Sequence, residues 1–186
     1  MLTVAFSGRI IPVDVGMRNI ATTIENGETK FYGAGINAIR RRYMEQKEDG
    51  KSQVPAEFWR PEDRKEVRRQ ARAVARVIVE KAVKDRAVIA LGKPSRSYFE
   101  AQWNYAYWPV QSFVQHLRSR ARALGVRVLN VPEAETSQTC SQCGSHGKRL
   151  GAVFVCYACQ IALNSDMNAA KNIAKRAESM LNFGAF

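Results

Sequence analysis

Four cysteines have the residue type and spacing to bind a metal ion through their thiolates. They form two C-x-x-C pairs, Cys140 with Cys143 and Cys156 with Cys159. Two such pairs can present four thiolates to one Zn²⁺ ion, which proteins hold with tetrahedral geometry. Four reduced thiols in a core, or two disulfides, are the alternatives. A shell of four sulfurs leaves no open coordination position, so the spacing predicts a structural zinc site.

Acidic residues flank the cysteines on both sides, although zinc binding requires neither flank. Glu133 and Glu135 precede the first pair, Asp166 follows the second, and Asp14 interrupts an apolar run near the N-terminus. Carboxylates that converge can hold two Mg²⁺ or Mn²⁺ ions. In phosphodiester hydrolysis one ion activates the attacking water and the other stabilises the leaving oxygen.

Two of these acids also have ordinary structural explanations. An unpaired carboxylate is costly in apolar surroundings, so Asp14 is expected where its strand meets solvent or a cation. A turn-forming aspartate at a strand end is the alternative. Asp166 begins the last helix with Ala170 and Ile173 at i+4 and i+7, which places it on the stripe facing the sheet. Helix capping is the alternative there, and the residues alone leave both questions open.

The charge of the chain indicates a phosphate-rich partner. Its net charge is +12, from 29 Lys+Arg against 17 Asp+Glu, and basic residues bind polyanions by releasing condensed counterions. A basic surface that only maintains solubility is the alternative. One predicted helix carries a basic face that we expect to bind nucleic acid, with Arg64, Arg68, Arg69, Arg72 and Arg76.

Nothing in the chain resembles a transmembrane span or a signal peptide, and reduced thiols suit a reducing compartment. We therefore expect a cytoplasmic, nucleoid-associated protein with no membrane partner.

The apolar pattern predicts the elements that must position these residues. Strands are predicted at 10–15, 20–24, 29–32, 87–91 and 126–131, with an Asn-Gly turn between the second and third. Helices are predicted at 61–83, 110–124 and 165–181. A short helix with a mobile loop is expected within 36–59. Trp103 and Trp108 lie in an aromatic loop, where they could stack on bases or simply pack.

This order of elements predicts an α/β fold with a five-stranded mixed sheet and helices on both faces. It resembles the RNase H-like fold, in which a third acid normally ends the fourth strand. Here that strand reads Val88 to Lys93 and contains no acid. Glu133 closes the fifth strand, one strand further along at about 4.8 Å, and its side chain could span that offset.

Several segments together resemble the nuclease half of TnpB (OrfB) proteins, the transposon-associated RNA-guided DNA nucleases related to type V CRISPR effectors and Fanzor proteins. Residues 13–21 (V-D-V-G-M-R-N-I-A) are similar to the first RuvC motif of that family. Residues 133–144 (E-x-x-T-S-x-x-C-x-x-C-G) are similar to the entry of its zinc ribbon. The second C-x-x-C pair and residues 166–173 (D-x-N-A-A-x-N-I) are similar to the ribbon exit and the last RuvC motif.

The resemblance implies the site residues and the organisation of the chain. Asp14 and Asp166 would be catalytic and bind magnesium, and Glu133 would take the place of the absent strand-four acid, as in some branches of the family; Glu135 is the less favoured substitute. The implied division is a RuvC core over 1–135, a zinc ribbon insert over 136–163 and a C-terminal helix over 164–186. Family members usually carry a long N-terminal region that binds guide RNA, whereas here the first RuvC strand begins about ten residues in. Either the chain is an excised or degenerate nuclease domain, or guide binding is lost or delegated, so we do not expect autonomous RNA-guided cleavage.

The residues and the resemblance suggest three functions. The first is a Mg²⁺-dependent DNA endonuclease domain of the RuvC type that works by two-metal hydrolysis, with structural Zn²⁺ and with DNA, guide RNA or an RNA–DNA hybrid as partners. The second is a catalytically inactive nucleic-acid-binding derivative of the same fold. The third, a zinc-ribbon protein of transcription or translation with an unrelated α/β body, leaves the D-x-N-A-A motif unexplained.

Overall fold

The computed structural model describes residues 8–16, 18–44, 59–93 and 109–183. The loop expected after residue 44 and the two tryptophans Trp103 and Trp108 lie outside the described residues. In chain order the elements are β1 (Ile10–Asp14), β2 (Ala21–Glu25), β3 (Glu28–Tyr32), α1 (Ala34–Met44), α2 (Pro61–Asp85), β4 (Val88–Lys93), α3 (Val110–Ala123), β5 (Val128–Pro132), β6 (Lys148–Leu150), β7 (Val153–Cys156), β8 (Ile161–Asn164) and α4 (Ser165–Phe183).

The larger sheet has five strands in the order β3-β2-β1-β4-β5. Its first three strands pair antiparallel, whereas β4 pairs in parallel with both β1 and β5. The turn between β2 and β3 consists of Asn26 and Gly27, both with positive φ (52° and 83°), as a two-residue type I′ hairpin requires. The predicted mixed sheet and its hairpin are confirmed.

Helices cover both faces of this sheet. Strand side chains alternate between the faces, so apolar residues on each face can pack against a helix. Ile89 and Leu91 of β4 join the main core beneath α1, α2 and α3, whereas Ala90 between them packs with Ile173 and Ala177 of α4 on the other face. A strand buried on both faces has no solvent side for polar residues, which explains the unbroken apolar run of β4.

The two longer helices on the main-core face lie side by side. Pro61 begins α2, as its position at the first helical turn predicts. The buried stripe of α2 includes Val67, Ala71 and Ile78, and that of α3 includes Phe113 and Leu117. The two helices contact each other along these stripes and leave their basic faces toward solvent.

A second, three-stranded antiparallel sheet in the order β6-β7-β8 lies in the segment between β5 and α4. Its small core consists of Phe154 with Cys140 and Cys156. The insertion point of the cysteine segment is the predicted one. None of the helices in the described ranges is both long and apolar enough to cross a lipid bilayer.

Candidate metal centres

The four cysteine sulfurs converge on one point. Cys140 Sγ lies 4.0 Å from Cys159 Sγ, and Cys143 Sγ lies 3.6 Å from Cys156 Sγ. All four sulfurs lie within 4.8 Å of one another. A tetrahedral zinc shell with bonds of about 2.3 Å has sulfur–sulfur edges of about 3.8 Å, so the observed spacing fits a Zn²⁺ ion.

Hydrogen bonds within their own loops hold these sulfurs in place. The backbone N–H groups of Gln142 and Cys159 donate to Cys140 Sγ and Cys156 Sγ, each at 3.4 Å. Hydrogen bonds from Ser145 lower the pKa of Cys143 to about 6, whereas the hydrogen bond with Cys143 raises the pKa of Cys159 to about 12. The four cysteines can therefore hold a zinc ion, and the backbone of the same loops already positions two of their sulfurs.

Asp14 ends β1 at the carboxyl edge of the sheet, and its side chain is buried. Burial raises the pKa of its carboxyl group well above the ordinary value, and the negative charges of Glu133 and Asp166 raise it further. Arg149 opposes them by lowering it. Glu133 and Asp166 are thus each close enough to act on Asp14 electrostatically, although the three acids come from three separate parts of the fold.

Glu133 follows β5 directly, and its carboxylate extends over the neighbouring strand β4. A Cβ atom placed on Gly92 of β4 would lie only 2.1 Å from Glu133 Oε1. Gly92 pairs with Val131, and the residue before it, Leu91, pairs with Val13. The carboxylate of Glu133 therefore occupies space that a side chain on β4 would fill, next to the register position of Asp14.

The surroundings of Glu133 leave one of its oxygens without a partner. The backbone N–H of Val15 hydrogen-bonds to the carboxylate, yet burial still raises the pKa of Glu133 to about 7. Glu133 Oε1 is buried and lacks a hydrogen-bond partner among the described residues. A buried, unpaired carboxylate oxygen is energetically unfavourable, and a bound cation would satisfy it.

Glu135 has a different environment. Its side chain is exposed, its φ is 64°, and its backbone carbonyl accepts hydrogen bonds from the N–H groups of Gln138 and Thr139. It therefore shapes the turn that leads into the cysteine segment. Glu133, and not Glu135, is the glutamate that approaches Asp14.

Asp166 does not cap the helix α4. The cap is Asn164, whose Oδ1 accepts hydrogen bonds from the backbone N–H groups of Asp166 and Met167, each at 3.0 Å. The Asp166 carboxylate is buried and receives Asn19 Nδ2 at 3.0 Å and a guanidinium nitrogen of Arg149 at 3.2 Å. The capping alternative is therefore wrong, and the side chain of Asp166 faces the sheet edge that carries Asp14.

Two asparagines of the D-x-N-A-A-x-N segment attach the cysteine segment to α4. Asn168 Nδ2 donates to the Thr139 carbonyl at 2.8 Å, and Asn168 Oδ1 accepts from the Ser141 N–H at 2.8 Å. Asn172 Nδ2 donates to the carbonyls of Thr136 and Thr139 at 2.8 Å and 2.7 Å. These buried amides fix the cysteine segment against the helix that carries Asp166.

The oxygens of the three carboxylates lie further apart than the sulfurs of the four cysteines. Within the described part of the chain, the four cysteines alone bring all their ligand atoms within 4.8 Å of one another, so the three carboxylates are more widely spaced. Arg149 contributes one positive charge against three carboxylates. The excess of negative charge and the unpaired Glu133 Oε1 fit one or two divalent cations.

Arg149 was not singled out in the sequence. It lies on β6 of the cysteine segment, where it is one of many basic residues, and no periodicity distinguishes it. Its Nε donates to the Gly151 carbonyl at 3.2 Å, which directs the guanidinium toward Asp166. The basic face of α2 is present as predicted, and four of its five arginines line a surface groove that Arg64 does not line.

Comparisons with known proteins find relatives over part of the chain. The profile of the Cas12f1-like, TNB domain family matches residues 111–173, from α3 into α4. The CRISPR-associated endodeoxyribonuclease Cas12f1 of Sulfoacidibacillus thermotolerans is 40% identical over 74 residues, which cover 38% of this chain and 17% of that protein. The TnpB-like protein L79 of Acanthamoeba polyphaga mimivirus is 43% identical over 65 residues, which cover 34% of this chain and 12% of that protein.

Solved structures share the fold over nearly the whole chain. A Cas12f1–sgRNA–target DNA complex superposes with a TM-score of 0.67 at 16% identity, covering 95% of this chain and 52% of that one. A CRISPR-Cas12f ternary complex superposes with a TM-score of 0.59 at 18% identity, covering 92% of this chain and 39% of that one. The chain thus spans about half or less of the length of these proteins. The predicted α/β fold is confirmed.

Proposed function

We propose, from the premise that this chain is a TnpB-like and type V effector-like protein, that it is a RuvC-type endonuclease domain that hydrolyses phosphodiester bonds in DNA. The observation that carries the proposal is the convergence of Asp14, Glu133 and Asp166 at one sheet edge. Glu133 Oε1 is buried there and has no hydrogen-bond partner in the part of the chain that the structure describes. Such a site attracts divalent cations.

The three carboxylates would hold Mg²⁺ or Mn²⁺. Bound ions of this kind supply an activated water and neutralise charge on the leaving oxygen. Asn19 and Ser165 hydrogen-bond to Asp166, at 3.0 Å and 3.3 Å, and so fix the orientation of its carboxylate. The N–H of Val15, the residue that follows β1, orients Glu133. These contacts support a preorganised ligand set.

Arg149 would hold the substrate beside the carboxylates. Its side chain is 45% exposed, so part of the guanidinium faces solvent while one nitrogen contacts Asp166. A guanidinium can bind a phosphate bidentately, and an incoming phosphodiester offers it a second anion. In this proposal the zinc-bound segment contributes to cleavage by carrying Arg149 and by its attachment to α4, while the zinc ion itself is structural.

The proposed binding partners of this chain are taken from its structural neighbours. Cas12f1 is seen with sgRNA and target DNA, so DNA, together with guide RNA or an RNA–DNA hybrid, is the proposed partner of this chain. The proposal retains a RuvC core over 1–135, a zinc ribbon over 136–163 and a C-terminal helix over 164–186. It also implies that the protein acts where the DNA of the cell lies, in the nucleoid.

A catalytically inactive nucleic-acid-binding derivative is the second candidate. It is favoured by the wider spacing of the carboxylates and by the ion pair between Arg149 and Asp166. In that case divalent ions would bind weakly or not at all, and nucleic acid would bind without being cut.

A cleavage assay with matched glutamate variants tests the proposal. The chain is incubated with labelled single- and double-stranded DNA in Mg²⁺ or Mn²⁺, as wild type and as Asp14→Ala, Glu133→Gln and Glu135→Gln. We expect nicking that falls at least about a thousandfold in the first two variants, because each removes several kcal/mol of metal-dependent stabilisation. Glu135→Gln should cut normally, because its side chain is exposed.

Thermal unfolding with and without Mn²⁺ provides a readout that does not depend on cleavage. Binding to the native state raises the unfolding temperature, and this increase should disappear in Glu133→Gln but persist in Glu135→Gln. A wild-type chain that binds DNA, gains no stability from Mn²⁺ and never nicks would overturn the enzyme proposal in favour of the inactive derivative. Normal cutting by Glu133→Gln would remove Glu133 from the site.

A further inference from the structure

A basic groove lies on the solvent side of α2 and α3, away from the carboxylates. Its volume is about 460 Å³. It is formed by residues 65–76 of α2 together with one residue of α3, and its charged or titratable lining residues are Lys65, Arg68, Arg69, Arg72, Arg76 and His116. We call it the α2–α3 groove. The helix α4, which carries Asp166, packs on the opposite face of the sheet.

Among the described residues, three of the five cations that line this groove have no ion-pair partner. Arg69 pairs with Glu66 at 2.7 Å. Within the described ranges Lys65, Arg72 and Arg76 have no carboxylate within ion-pair distance. Along a helix that rises 1.5 Å per residue, the row from Lys65 to Arg76 extends about 16 Å. The groove therefore presents an extended row of cations rather than a point charge.

We propose that the α2–α3 groove is a second nucleic-acid site that binds a phosphodiester backbone independently of the carboxylate edge. A linear row of cations matches the regular phosphate charges of a strand, which lie about 3.4 Å apart along a duplex axis. Arginine forks bind phosphate oxygens bidentately without reading the bases. The inference rests on the proposed function only in taking nucleic acid as the ligand, and it requires no cleavage.

His116 contributes a proton-sensitive element to the groove. Burial lowers its pKa, and the positive charges of Arg72, Arg120 and Arg76 lower it further. Arg120 lies on the same helix as His116 and is paired with Glu80 of α2 at 2.9 Å. A bound phosphate would neutralise this local charge, so His116 should take up a proton on binding and its pKa should rise.

Binding measurements with charge-matched variants test the proposal. The parent is the Asp14→Ala chain without added Mg²⁺, so that no cleavage intervenes, and the probes are labelled single-stranded DNA, single-stranded RNA, duplex DNA and an RNA–DNA hybrid of one sequence. The groove variant is Arg72→Gln with Arg76→Gln. The control is Arg122→Gln with Arg127→Gln, which removes the same charge from exposed positions outside the groove.

We expect the groove variant to lose roughly tenfold to a hundredfold in affinity for at least one probe. The slope of log K against log salt for duplex DNA should become less steep by about 2, since two phosphate contacts are removed. The control should stay within about twofold. The probe that loses most identifies whether DNA, RNA or the hybrid occupies the groove.

Two results would overturn the proposal: equal losses in the groove and control variants, or no loss in either. An NMR titration of His116 adds an independent readout, because its pKa should rise on addition of the preferred probe and stay unchanged if the nucleic acid binds elsewhere. Failure of this site would leave the cleavage assay unaffected. Failure of cleavage would likewise leave the binding result standing.

Discussion

The thiol site and the carboxylate site are built in opposite ways. The four cysteines come from one short segment, and their sulfurs lie within 4.8 Å of one another, supported by N–H···S hydrogen bonds of the same loops. The three acids come from the end of β1, the end of β5 and the start of α4, and their oxygens lie further apart. Local turns assemble the first site, whereas only the packed sheet and α4 assemble the second.

The two sites also differ in what they contribute to stability. Zinc bound by thiolates would stabilise a segment whose own core is little more than Phe154. At the carboxylates, burial instead raises the pKa of both Asp14 and Glu133, and the negative charges of Glu133 and Asp166 raise that of Asp14 further. The proposed site for divalent cations therefore lowers stability in the metal-free protein, as is common where function and stability compete.

Loss of zinc should give the largest effect and test whether the two sites are separable. Cys156→Ser changes a fully buried ligand, and structural zinc contributes about 10 kcal/mol or more to small zinc-bound folds. We expect zinc content to fall from one ion per chain to near zero and the NMR signals of β6, β7 and β8 to collapse. Those of the five-stranded sheet should persist.

Tyr157→Ala is the matched control for this change, because it alters an exposed neighbour in the same turn. It should retain zinc, as measured by inductively coupled plasma mass spectrometry. Loss of the whole fold in Cys156→Ser would show that the five-stranded sheet depends on the thiol site. The thiol site and the carboxylate site would then not be separable.

The pH dependence of stability should give the next largest effect. The folded pKa of Glu133 is about 7, above its ordinary value of 4.5, so the native state binds the proton more tightly than the unfolded state. Stability from this group is therefore fully present below pH 4.5 and is lost as the pH rises through about 7, by at most about 3 kcal/mol.

Glu133→Gln should reduce this decline, and Glu135→Gln should not. Urea unfolding of both variants and the wild type at several pH values between 5 and 7.5 measures the difference. Addition of Mg²⁺ should also flatten the wild-type curve, since a cation favours the ionised carboxylate. A Glu133→Gln curve parallel to the wild type would show that burial of this carboxyl group is not unfavourable.

The substitution of Gly92 should give the smallest of the three effects. It tests directly whether Glu133, which follows β5, takes the place of an acid on β4. A methyl group at Gly92 would displace the Glu133 carboxylate and press on Ile173 Cδ1, 2.8 Å away. Repositioning of a ligand by a supporting residue typically reduces metal affinity by about 10–100-fold. We expect Gly92→Ala to weaken Mn²⁺ binding in a calorimetric titration by that amount, with the fold retained.

A swap of the acid between strands sharpens this test. Gly92→Asp combined with Glu133→Ala places a carboxylate on β4 and removes the side chain that it would strike. The double variant should bind Mn²⁺ more tightly than Glu133→Ala alone. Equal affinities would mean that the position on β4 cannot serve as a ligand site in this sheet.

Much of the fold was predictable because its signals are local. The Asn26–Gly27 turn, the apolar run of β4 and the buried stripe of α2 each depend on residues near one another in the chain. The cysteine site was predictable for the same reason. The division of the chain into core, ribbon and final helix remains a prediction, as do the catalytic roles of the three acids.

Other parts of the site could not be found from local signals. Arg149 approaches Asp166 only because β6 is folded against the start of α4. The significance of Gly92 emerges only when β5 places Glu133 beside it. The sequence did contain a signal for Gly92, because the fourth strand lacks an acid and has this glycine near its end. His116 likewise joins the basic face of α2 only through the contact between two helices.

The sequence by itself determined the residue types, the order of the five strands and the helices of the larger sheet, and the thiol site, because hydrophobic periodicity and short-range spacing act along the chain. The tertiary structure alone decided which glutamate approaches Asp14, that Asn164 and not Asp166 caps α4, and that Arg149 enters the carboxylate site. The physical reason is that charges separated along the chain interact only after strand register and helix docking bring them within a few ångströms, where burial strengthens the interaction.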